Sequence, residues 1–176
     1  MEKKIQTPLT EETIKSLHVG DMVKITGTIY SARDAAHKKL TELIEKGEPL
    51  PFSLSGNVIY YLGPTPAREG QVIGSAGPTT STRMDKYTPK LLSLGLKGMI
   101  GKGRRGSDVL QAIRSEGAVY FAAVGGAGAL LSKCIKKSRV IAFEELGTEA
   151  IREMFVEDFP VIVAADAEGN DIYQSL

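Results

Sequence analysis

The sequence predicts an α/β fold, and two patterns support this prediction. Short runs rich in β-branched residues recur along the chain, and most of them end at glycine, proline or a polar turn. Several segments between these runs carry apolar residues at three- and four-residue intervals, the period of a helix. Strands that alternate with helices indicate an α/β domain. The early strands and short glycine turns leave open a doubly wound sheet, a mixed sheet or a partly closed barrel.

The first half of the chain begins with a weakly alternating segment, which predicts an edge strand. Thr10 is a typical helix cap, so a short helix is expected to run from there to Gly20. A longer helix is expected from Ser31 to Gly47, because its apolar residues form one stripe. The predicted strands of this half are residues 3–9, 21–30, 57–62 and 71–76.

The second half of the chain continues this alternation. A helix is expected from Met84 to Ser93, and Ser107 with Asp108 caps another that runs to Glu116. Further helices are expected over residues 125–135, which begin with several glycines, and over residues 148–154. The predicted strands of this half are residues 96–100, 118–124, 140–143, 160–165 and a short edge at 171–173.

Length and composition indicate an ordinary globular protein. The 176 residues are expected to form a single domain spanning residues 1–176. Hydrophobic residues make up 42% of the chain and charged residues 24%, which is far from the composition of disordered chains. The formal net charge of +1 gives no field that would attract nucleic acid or an anionic membrane, so neither is expected as a partner.

Cysteine occurs once, at Cys134, which we interpret as a buried small hydrophobic residue. The chain is therefore expected to form no internal disulfide and to supply no metal ligands for a multi-cysteine or iron–sulfur site. The first residues lack the apolar core of a signal peptide, and no stretch approaches the roughly 20 apolar residues of a membrane span. A cytoplasmic location is the resulting expectation.

The stretch Gly74–Asp85 is the most informative part of the sequence. Its loop brings four consecutive hydroxyl residues and Arg83 to the predicted start of a helix. Free amides at a helix N-terminus bind anions, and Gly74 and Gly77 let the backbone approach a ligand closely. Arg83 adds a planar fork that suits a carboxylate or a phosphate. The alternative is an ordinary loop whose hydroxyl groups cap the helix.

Three cations follow predicted strands beside a glycine or a helix start, namely Arg33, Arg83 and Lys102. Ligands of α/β folds gather where the carboxyl ends of strands meet helix N-termini, so these residues can converge. Together they suit a small dianion, although each is also explained as a solvated surface charge. His37, one helical turn after Arg33, is interpreted as a residue at the edge of this site, with a half-buried helical histidine as the alternative.

Two glycine-rich stretches invite a nucleotide interpretation, which their spacing does not support. Residues 101–106 lack the Gly-Lys-Ser/Thr end of a phosphate loop, and residues 125–128 lack the spacing of the dinucleotide fingerprint. For the second stretch, close packing of the backbone against a neighbour is the preferred interpretation. A nucleotide site is therefore not expected.

The chain carries three motifs, Gly27–Lys38, Gly74–Asp85 and Ile100–Gly103, in the order found in one enzyme family. It resembles, over essentially its whole length, the β subunits of class I, iron–sulfur-dependent fumarate hydratases and of the related L-tartrate dehydratases. The resemblance implies a swivelling β/β/α domain, with a mixed sheet or partly closed barrel and flanking helices. It also implies that the chain is equivalent to the C-terminal half of the single-chain enzymes.

The resemblance further implies a partner α subunit, and thus a hetero-oligomer. That subunit would bind a [4Fe–4S] cluster through three cysteines, with one iron open to substrate, which agrees with the single cysteine of this chain. By the same resemblance, Arg33, Arg83 and Lys102 would hold the carboxylates of a small dicarboxylate substrate, and Thr79 would take the proton from its C3 position. His37 and Gly77 are also expected to bind substrate.

The expected function is that of the β subunit of a two-subunit hydro-lyase. The enzyme would interconvert (S)-malate with fumarate and water at an active site shared between the subunits, and this chain alone would be inactive. Two alternatives stay open. One is the β subunit of an L(+)-tartrate dehydratase that yields oxaloacetate, because a single additional hydroxyl distinguishes the substrates. The other is a non-catalytic domain that binds a dicarboxylate or assembles other proteins.

Overall fold

The computed structural model describes residues 2–123 and 128–175, and it confirms an α/β fold with a mixed sheet. Five strands close into a barrel-like sheet, and two further strands extend it. In chain order the elements are β1 Glu2–Gln6, α1 Glu11–Ser16, β2 Met22–Ser31, α2 Asp34–Glu45, β3 Val58–Tyr60, α3 Thr88–Ser93, β4 Gly98–Gly101, α4 Ser107–Glu116, β5 Val119–Ala123, α5 Gly128–Lys133, β6 Ile135–Ala142 and β7 Ile151–Ala165. Short 3₁₀ helices span Ser81–Met84, Glu144–Glu149 and Ile172–Ser175.

The barrel is closed by β7, the longest strand. Strands β2, β3, β4 and β5 lie side by side and parallel, and β7 runs antiparallel to both β5 and β2, so that it joins the two ends of this sheet. The extra strands β1 and β6 pair with β2 and β7 respectively. Among the described residues, no helix is long and apolar enough to cross a membrane.

A bulge in β2 at Gly27 sets the curvature of this strand. The pairing of β2 with β7 shifts between Ile25 and Gly27, and Gly27 has a φ of +132°, a conformation that glycine adopts most readily. A Cβ at this position would collide with the side chain of Thr7, which packs across the bulge. Glycine is therefore required here both by the backbone conformation and by the close approach of the chain before α1.

Two apolar cores lie on the two faces of the sheet. The alternation of side chains along each strand sends Val58 and Tyr60 of β3 into one core and Ile59 into the other. The first core fills the barrel and includes Phe121. The second lies between the sheet and helices α2, α3 and α4, and buries Leu40 completely. Both faces of the central strands are thus apolar, as is usual for parallel strands covered on both sides.

The predicted strand at residues 71–76 is wrong. These residues form a loop, because their backbone groups pair with another loop segment and not with the sheet. The amide of Ser75 donates to Oγ1 of Thr65, and the amide of Thr65 donates to the carbonyl oxygen of Ser75 at 3.3 Å. Gly74 lies so close to Thr65 that a Cβ there would collide with its backbone.

Two helix predictions also need correction. Residues 148–154 are not a helix, since a 3₁₀ helix ends at Glu149 and β7 begins at Ile151. Strand β7 pairs with β2 on one edge and with β6 on the other, and this pairing outweighs the local helical pattern. The expected helix from Met84 to Ser93 is divided into the 3₁₀ helix Ser81–Met84 and α3. Gly125, Gly126 and Ala127 lie outside the described residues, and helix α5 begins at Gly128.

Candidate active site

The parallel strands deliver two of the predicted cations to one edge of the sheet. Arg33 follows the end of β2, and Lys102 follows the end of β4, with β3 between them. The chain remains in register beyond the strands, because the amide of Ala32 donates to the carbonyl oxygen of Tyr60 at 3.0 Å and the amide of Tyr61 donates to that of Ile100 at 2.9 Å. The carboxyl ends of β2, β3 and β4 therefore form a single edge.

Thr79 reaches the same edge from a distant part of the sequence. Its amide donates to the carbonyl oxygen of Tyr61 at 2.8 Å, and Thr80 forms a parallel bridge with Lys102. The amide of Ser81 then donates to the carbonyl oxygen of Lys102 at 2.9 Å. The loop thus lies along the ends of β3 and β4 like a short added strand, and it places the backbone of Thr79 between Arg33 and Lys102.

Arg83 is tied to the start of α2, one residue from Arg33. Its Nε donates to Oδ2 of Asp34 at 3.0 Å, although the two residues are far apart in sequence. The side chain of Arg83 is 51% exposed, so its outer nitrogens face an open edge. Because Nε alone is engaged by Asp34, the two Nη groups keep the paired geometry that suits a carboxylate. The structure therefore brings all three predicted cations and Thr79 to one edge.

Three buried polar atoms at the start of α2 have no hydrogen-bond partner among the described residues: Nε of Arg33, Oδ1 of Asp34 and Nε2 of His37. Buried polar groups are nearly always paired, and a cluster of exceptions indicates a missing ligand or partner. The guanidinium of Arg33 lies against Gly63, where a Cβ would come within 2.6 Å of Nη1. A larger residue at this position would displace the guanidinium of Arg33 from its present place.

His37 lies beneath this edge and is completely buried. Its Nδ1 lies 2.8 Å from the carbonyl oxygen of Arg33, and because a carbonyl only accepts, Nδ1 carries the proton of the neutral ring. The rings of Tyr61 and Tyr87 lie 5.5 and 5.8 Å away. Burial lowers the pKa of His37 to about 4, so the imidazole is neutral at pH 7. This geometry suits a residue that orients Arg33, and a direct contact with substrate stays a prediction.

The buried His37 makes stability depend on pH. Its pKa is about 4 in the folded protein and about 6.5 in an unfolded chain, so between these values the unfolded state binds more protons. We expect the free energy of unfolding to be highest above pH 6.5 and to fall by about 3 kcal/mol, through this residue, as the pH drops to 4. Urea titrations of wild type and His37→Asn between pH 4 and 7 measure the difference.

The matched control for this measurement is His18→Asn, because His18 is the other histidine of the chain and its side chain is half exposed. We expect the control to follow the pH dependence of the wild type, whereas His37→Asn loses the additional acid sensitivity. Parallel curves for His37→Asn and the wild type would show that His37 does not titrate between the two states.

Gly77 lies on the exposed side of the loop that leads to Thr79. The preceding residue, Ala76, is held from two directions: its amide donates to the carbonyl oxygen of Gly128 at 3.1 Å, and its own carbonyl oxygen accepts from the hydroxyl of Tyr60.

The predicted N-terminus of a long helix after this loop is replaced by a 3₁₀ helix of 4 residues. The anion-binding character of the edge therefore rests on its cations and less on a helix dipole.

A buried ion pair beneath the loops was not visible in the sequence. The side chain of Arg105 is fully buried, and its Nε donates to Oδ1 of Asp85 at 2.7 Å. Its Nη2 donates to the hydroxyls of Tyr61 and Thr88, each at 3.0 Å. In the sequence, nothing in the glycine-rich loop distinguishes this arginine from its exposed neighbour Arg104.

Removal of Asp85 is expected to destabilise the protein strongly. Asp85→Ala leaves the guanidinium of Arg105 buried without its counter-charge and also removes the acceptor of the Gly106 amide. Loss of one partner of a buried pair typically costs several kcal/mol, so we expect about 3 kcal/mol less free energy of unfolding in urea titrations. Glu11→Ala, which removes an exposed pair with Lys15, is the control and should unfold at the urea concentration of the wild type. Equal midpoints for both variants would contradict a structural role for the Asp85–Arg105 pair.

The side chains of this protein do not fit an iron–sulfur cluster as its ligands. Such clusters are held by three or four cysteines, and Cys134 is the single cysteine of the sequence. Its Sγ lies 3.9 Å from the carbonyl oxygen of Asp158, and burial raises the pKa of its thiol, which disfavours the thiolate that a metal requires. Over residues 2–123 and 128–175, no group of three histidine, cysteine or acidic side chains is placed to hold a metal ion.

A cavity of about 710 Å³ lies beside the loop that precedes Thr79. It is lined by Thr65, Gly74, Ser75 and cations that include Arg68 and Lys133. None of Arg33, Thr79, Arg83 and Lys102 lines it. Arg83 and Lys102 are exposed and Arg33 and Thr79 are partly exposed, so the candidate site lies at the surface of this chain, which is the arrangement expected when another surface completes a site.

The closed barrel and the cationic edge beyond its parallel strands define an α/β domain suited to a small anion. Residues 2–176 match the protein family described as Fumarase C-terminus. This match covers more than half of the chain, and the chain belongs to that family.

Several relatives show how this chain corresponds to longer proteins. Fumarate hydratase 2 of Leishmania major is 43% identical over 157 residues, which are 88% of this chain and 28% of that protein. The anaerobic class I fumarate hydratase of Escherichia coli is 42% identical over 160 residues, 90% of this chain and 29% of that enzyme. A Methanocaldococcus jannaschii protein, whose provisional name is L(+)-tartrate dehydratase subunit beta, is 40% identical over 174 residues, 96% of this chain and 89% of that subunit. The chain thus spans less than a third of the two fumarate hydratases and most of the separate subunit.

Proposed function

We propose that this chain is the β subunit of a two-subunit hydro-lyase that interconverts (S)-malate with fumarate and water. The observation that carries the proposal is that Arg33 and Lys102 follow strands of one parallel sheet, while the backbone bonds of Thr79 and the Arg83–Asp34 pair tie the loop to the same edge. Membership in the Fumarase C-terminus family supports it, as do relatives named fumarate hydratase. The cations suit a substrate with two carboxylates.

The reaction requires that a proton leave the carbon next to a carboxylate. This step builds additional negative charge on that carboxylate, and cations already in place stabilise the charge as it develops. Arg33, Arg83 and Lys102 supply this stabilisation from fixed backbone positions. The bond between Arg83 and Asp34 orients one guanidinium before substrate arrives, so less free energy is spent on ordering it.

Thr79 is the proposed group that exchanges the proton with C3 of the substrate. A neutral threonine hydroxyl is a weak base, so its deprotonation has to be favoured by nearby positive charge or by a relay to another group. The edge provides the cations, since Thr79 lies between the segments that carry Arg33 and Lys102. Its backbone amide is engaged by Tyr61, which fixes the residue without using its side chain.

The remainder of the active site is proposed to come from a partner α subunit, which also holds the [4Fe–4S] cluster. This division is supported by the donor set of the chain, with its single cysteine, and by the exposed position of the edge. It also agrees with the fraction of the fumarate hydratases that the chain spans, because the rest of the catalytic apparatus would lie in a separate polypeptide. We further propose a cytoplasmic location for the assembled enzyme.

A second candidate function is the dehydration of L(+)-tartrate to oxaloacetate. The Methanocaldococcus jannaschii relative favours it, because this chain covers 89% of that protein and it is named for a tartrate dehydratase subunit. The two substrates share both carboxylates and differ by one hydroxyl, so the same three cations suit either. A pocket that hydrogen-bonds the additional hydroxyl would discriminate between them strongly.

Activity of the chain with and without its partner tests the proposal. The isolated protein, treated anaerobically with iron and sulfide, should show neither the brown absorbance of a cluster nor conversion of malate, fumarate or tartrate. Co-expression with the proposed α subunit should give a stable complex that converts at least one of these substrates. Turnover by the isolated chain would contradict the division of the site, and a complex inactive on all three would favour a binding or assembly role.

A further inference from the structure

A chain of hydrogen bonds beneath the candidate site joins the two loops that carry Thr79 and Lys102. The hydroxyl of Tyr120, on β5, donates to the carbonyl oxygen of Gly103 at 2.8 Å. The same hydroxyl lies 2.6 Å from Oγ of Ser81. Tyrosine has one hydroxyl proton, and a carbonyl oxygen can only accept, so Ser81 donates to Tyr120. The chain therefore runs in one direction from Ser81 through Tyr120 to Gly103.

Both ends of this chain lie next to proposed site residues. Ser81 follows Thr79 by two positions, and its amide donates to the carbonyl oxygen of Lys102 at 2.9 Å. Gly103 directly follows Lys102, and its φ of +85° lies in the region that favours glycine. Ser81 is fully buried and Tyr120 nearly so, which leaves no room for water to replace either bond. Movement of the Tyr120 hydroxyl would consequently shift both loops.

The ring of Tyr120 is itself held in place by Arg105. The guanidinium carbon lies 4.8 Å from the centre of the Tyr120 ring and 5.1 Å from that of Tyr61, so the arginine contacts both rings. Asp85 fixes the guanidinium through Nε. Tyr61 in turn accepts the amide of Thr79 through its carbonyl oxygen. The buried ion pair, the two rings and the two loops are thus one connected unit.

We propose that the Tyr120 hydroxyl is a positioning group that sets the distance between Thr79 and Lys102 for the proposed reaction. This inference rests on the proposed function, since it assigns a role only if these two residues act on the substrate. Tyr120 itself does not touch the substrate, because it lies under the loops. The unit acts by holding the hydroxyl of Thr79 close to the substrate proton that it removes. A displacement of about 1 Å can lower a rate by 10²-fold.

The test uses the complex with its α subunit and (S)-malate as substrate. Tyr120→Phe should lower kcat about 30-fold, with KM changed less than about threefold, because the hydrogen-bond chain through Tyr120 does not hold Arg33 and Arg83. Ser81→Ala removes one bond of the chain and should lower kcat about tenfold. The double variant should be no slower than Tyr120→Phe, since both changes break the same connection.

Tyr30→Phe is the matched control, because that hydroxyl lies 3.5 Å from Glu153 and contacts neither loop. We expect it to retain wild-type kcat.

The outcomes separate this inference from the proposed function. A kcat of Tyr120→Phe within twofold of the wild type would overturn the inference, as would single effects that multiply in the double variant. If Tyr120→Phe does not fold, Ser81→Ala alone decides, and a kcat within twofold of wild type overturns the inference. Thr79→Ala in the same assay tests the function separately, because retained turnover in that variant refutes the role of Thr79. Loss of turnover in Thr79→Ala together with normal turnover in Tyr120→Phe refutes only the positioning role of Tyr120.

Discussion

Thr79→Ala should lower kcat of the assembled enzyme about 10³-fold while the complex still forms and binds substrate. A positioned general base typically contributes 10²- to 10⁴-fold to a rate, and alanine has no group that can exchange the proton. The fold should survive, because Thr79 is fixed through its backbone amide and not through its hydroxyl. Anaerobic assays with (S)-malate and fumarate, in both directions, measure the effect.

Two neighbouring threonines make this prediction specific. Thr80→Ala tests whether the adjacent hydroxyl is the base instead, since the sequence places both in the same motif. Thr82→Ala is the control, because that residue lies on the exposed side of the 3₁₀ helix, and we expect normal turnover from it. Wild-type kcat in Thr79→Ala, or a larger loss in Thr80→Ala, would assign the proton transfer elsewhere.

Arg83→Lys should lower kcat/KM about 30-fold, although the charge is conserved. Lysine is a point charge and cannot reproduce two parallel hydrogen bonds to a carboxylate while another nitrogen stays paired with Asp34. A hydrogen bond to a charged group contributes about 1.5 to 3 kcal/mol, which corresponds to this range of rate effects. Steady-state kinetics of the complex over a range of substrate concentrations give the value.

Arg139→Lys is a closely matched control for this substitution. Arg139 also pairs through Nε with a carboxylate, that of Glu153 at 3.0 Å, and its side chain is exposed, but it lies on β6, away from the strand ends that carry the site. We expect its kcat/KM to equal that of the wild type. If Arg83→Lys and Arg139→Lys were kinetically alike, Arg83 would be a surface ion pair and not a substrate contact.

Local signals in the sequence were enough to place many elements. The helix at Ser107–Glu116 has the predicted bounds, because an acidic first turn starts it and Gly117, with a φ of +66°, ends it. Arg33 and Lys102 could be placed at one edge of the sheet because parallel strands end at the same edge. These placements depend only on the order of strands and helices and not on their detailed packing.

Long-range pairing accounts for most of what the sequence did not reveal. Strand β7 pairs with β2, more than a hundred residues earlier, and this partnership turns a segment with helical periodicity into a strand that closes the barrel. The burial of Arg105 depends in the same way on Tyr61, Thr88 and Tyr120, which come from other parts of the chain. The loop at 71–76 is fixed by Thr65, and no periodic pattern encodes that contact.

A structure of the α–β complex with a bound dicarboxylate is the most direct test of the proposed active site. We expect fumarate or (S)-malate between the two subunits, with its carboxylates hydrogen-bonded to Arg33, Arg83 and Lys102. The hydroxyl of Thr79 should lie within about 3.5 Å of the substrate carbon that loses the proton. A dicarboxylate bound elsewhere on the complex, with these four side chains in contact only with solvent or protein, would contradict the proposed active site.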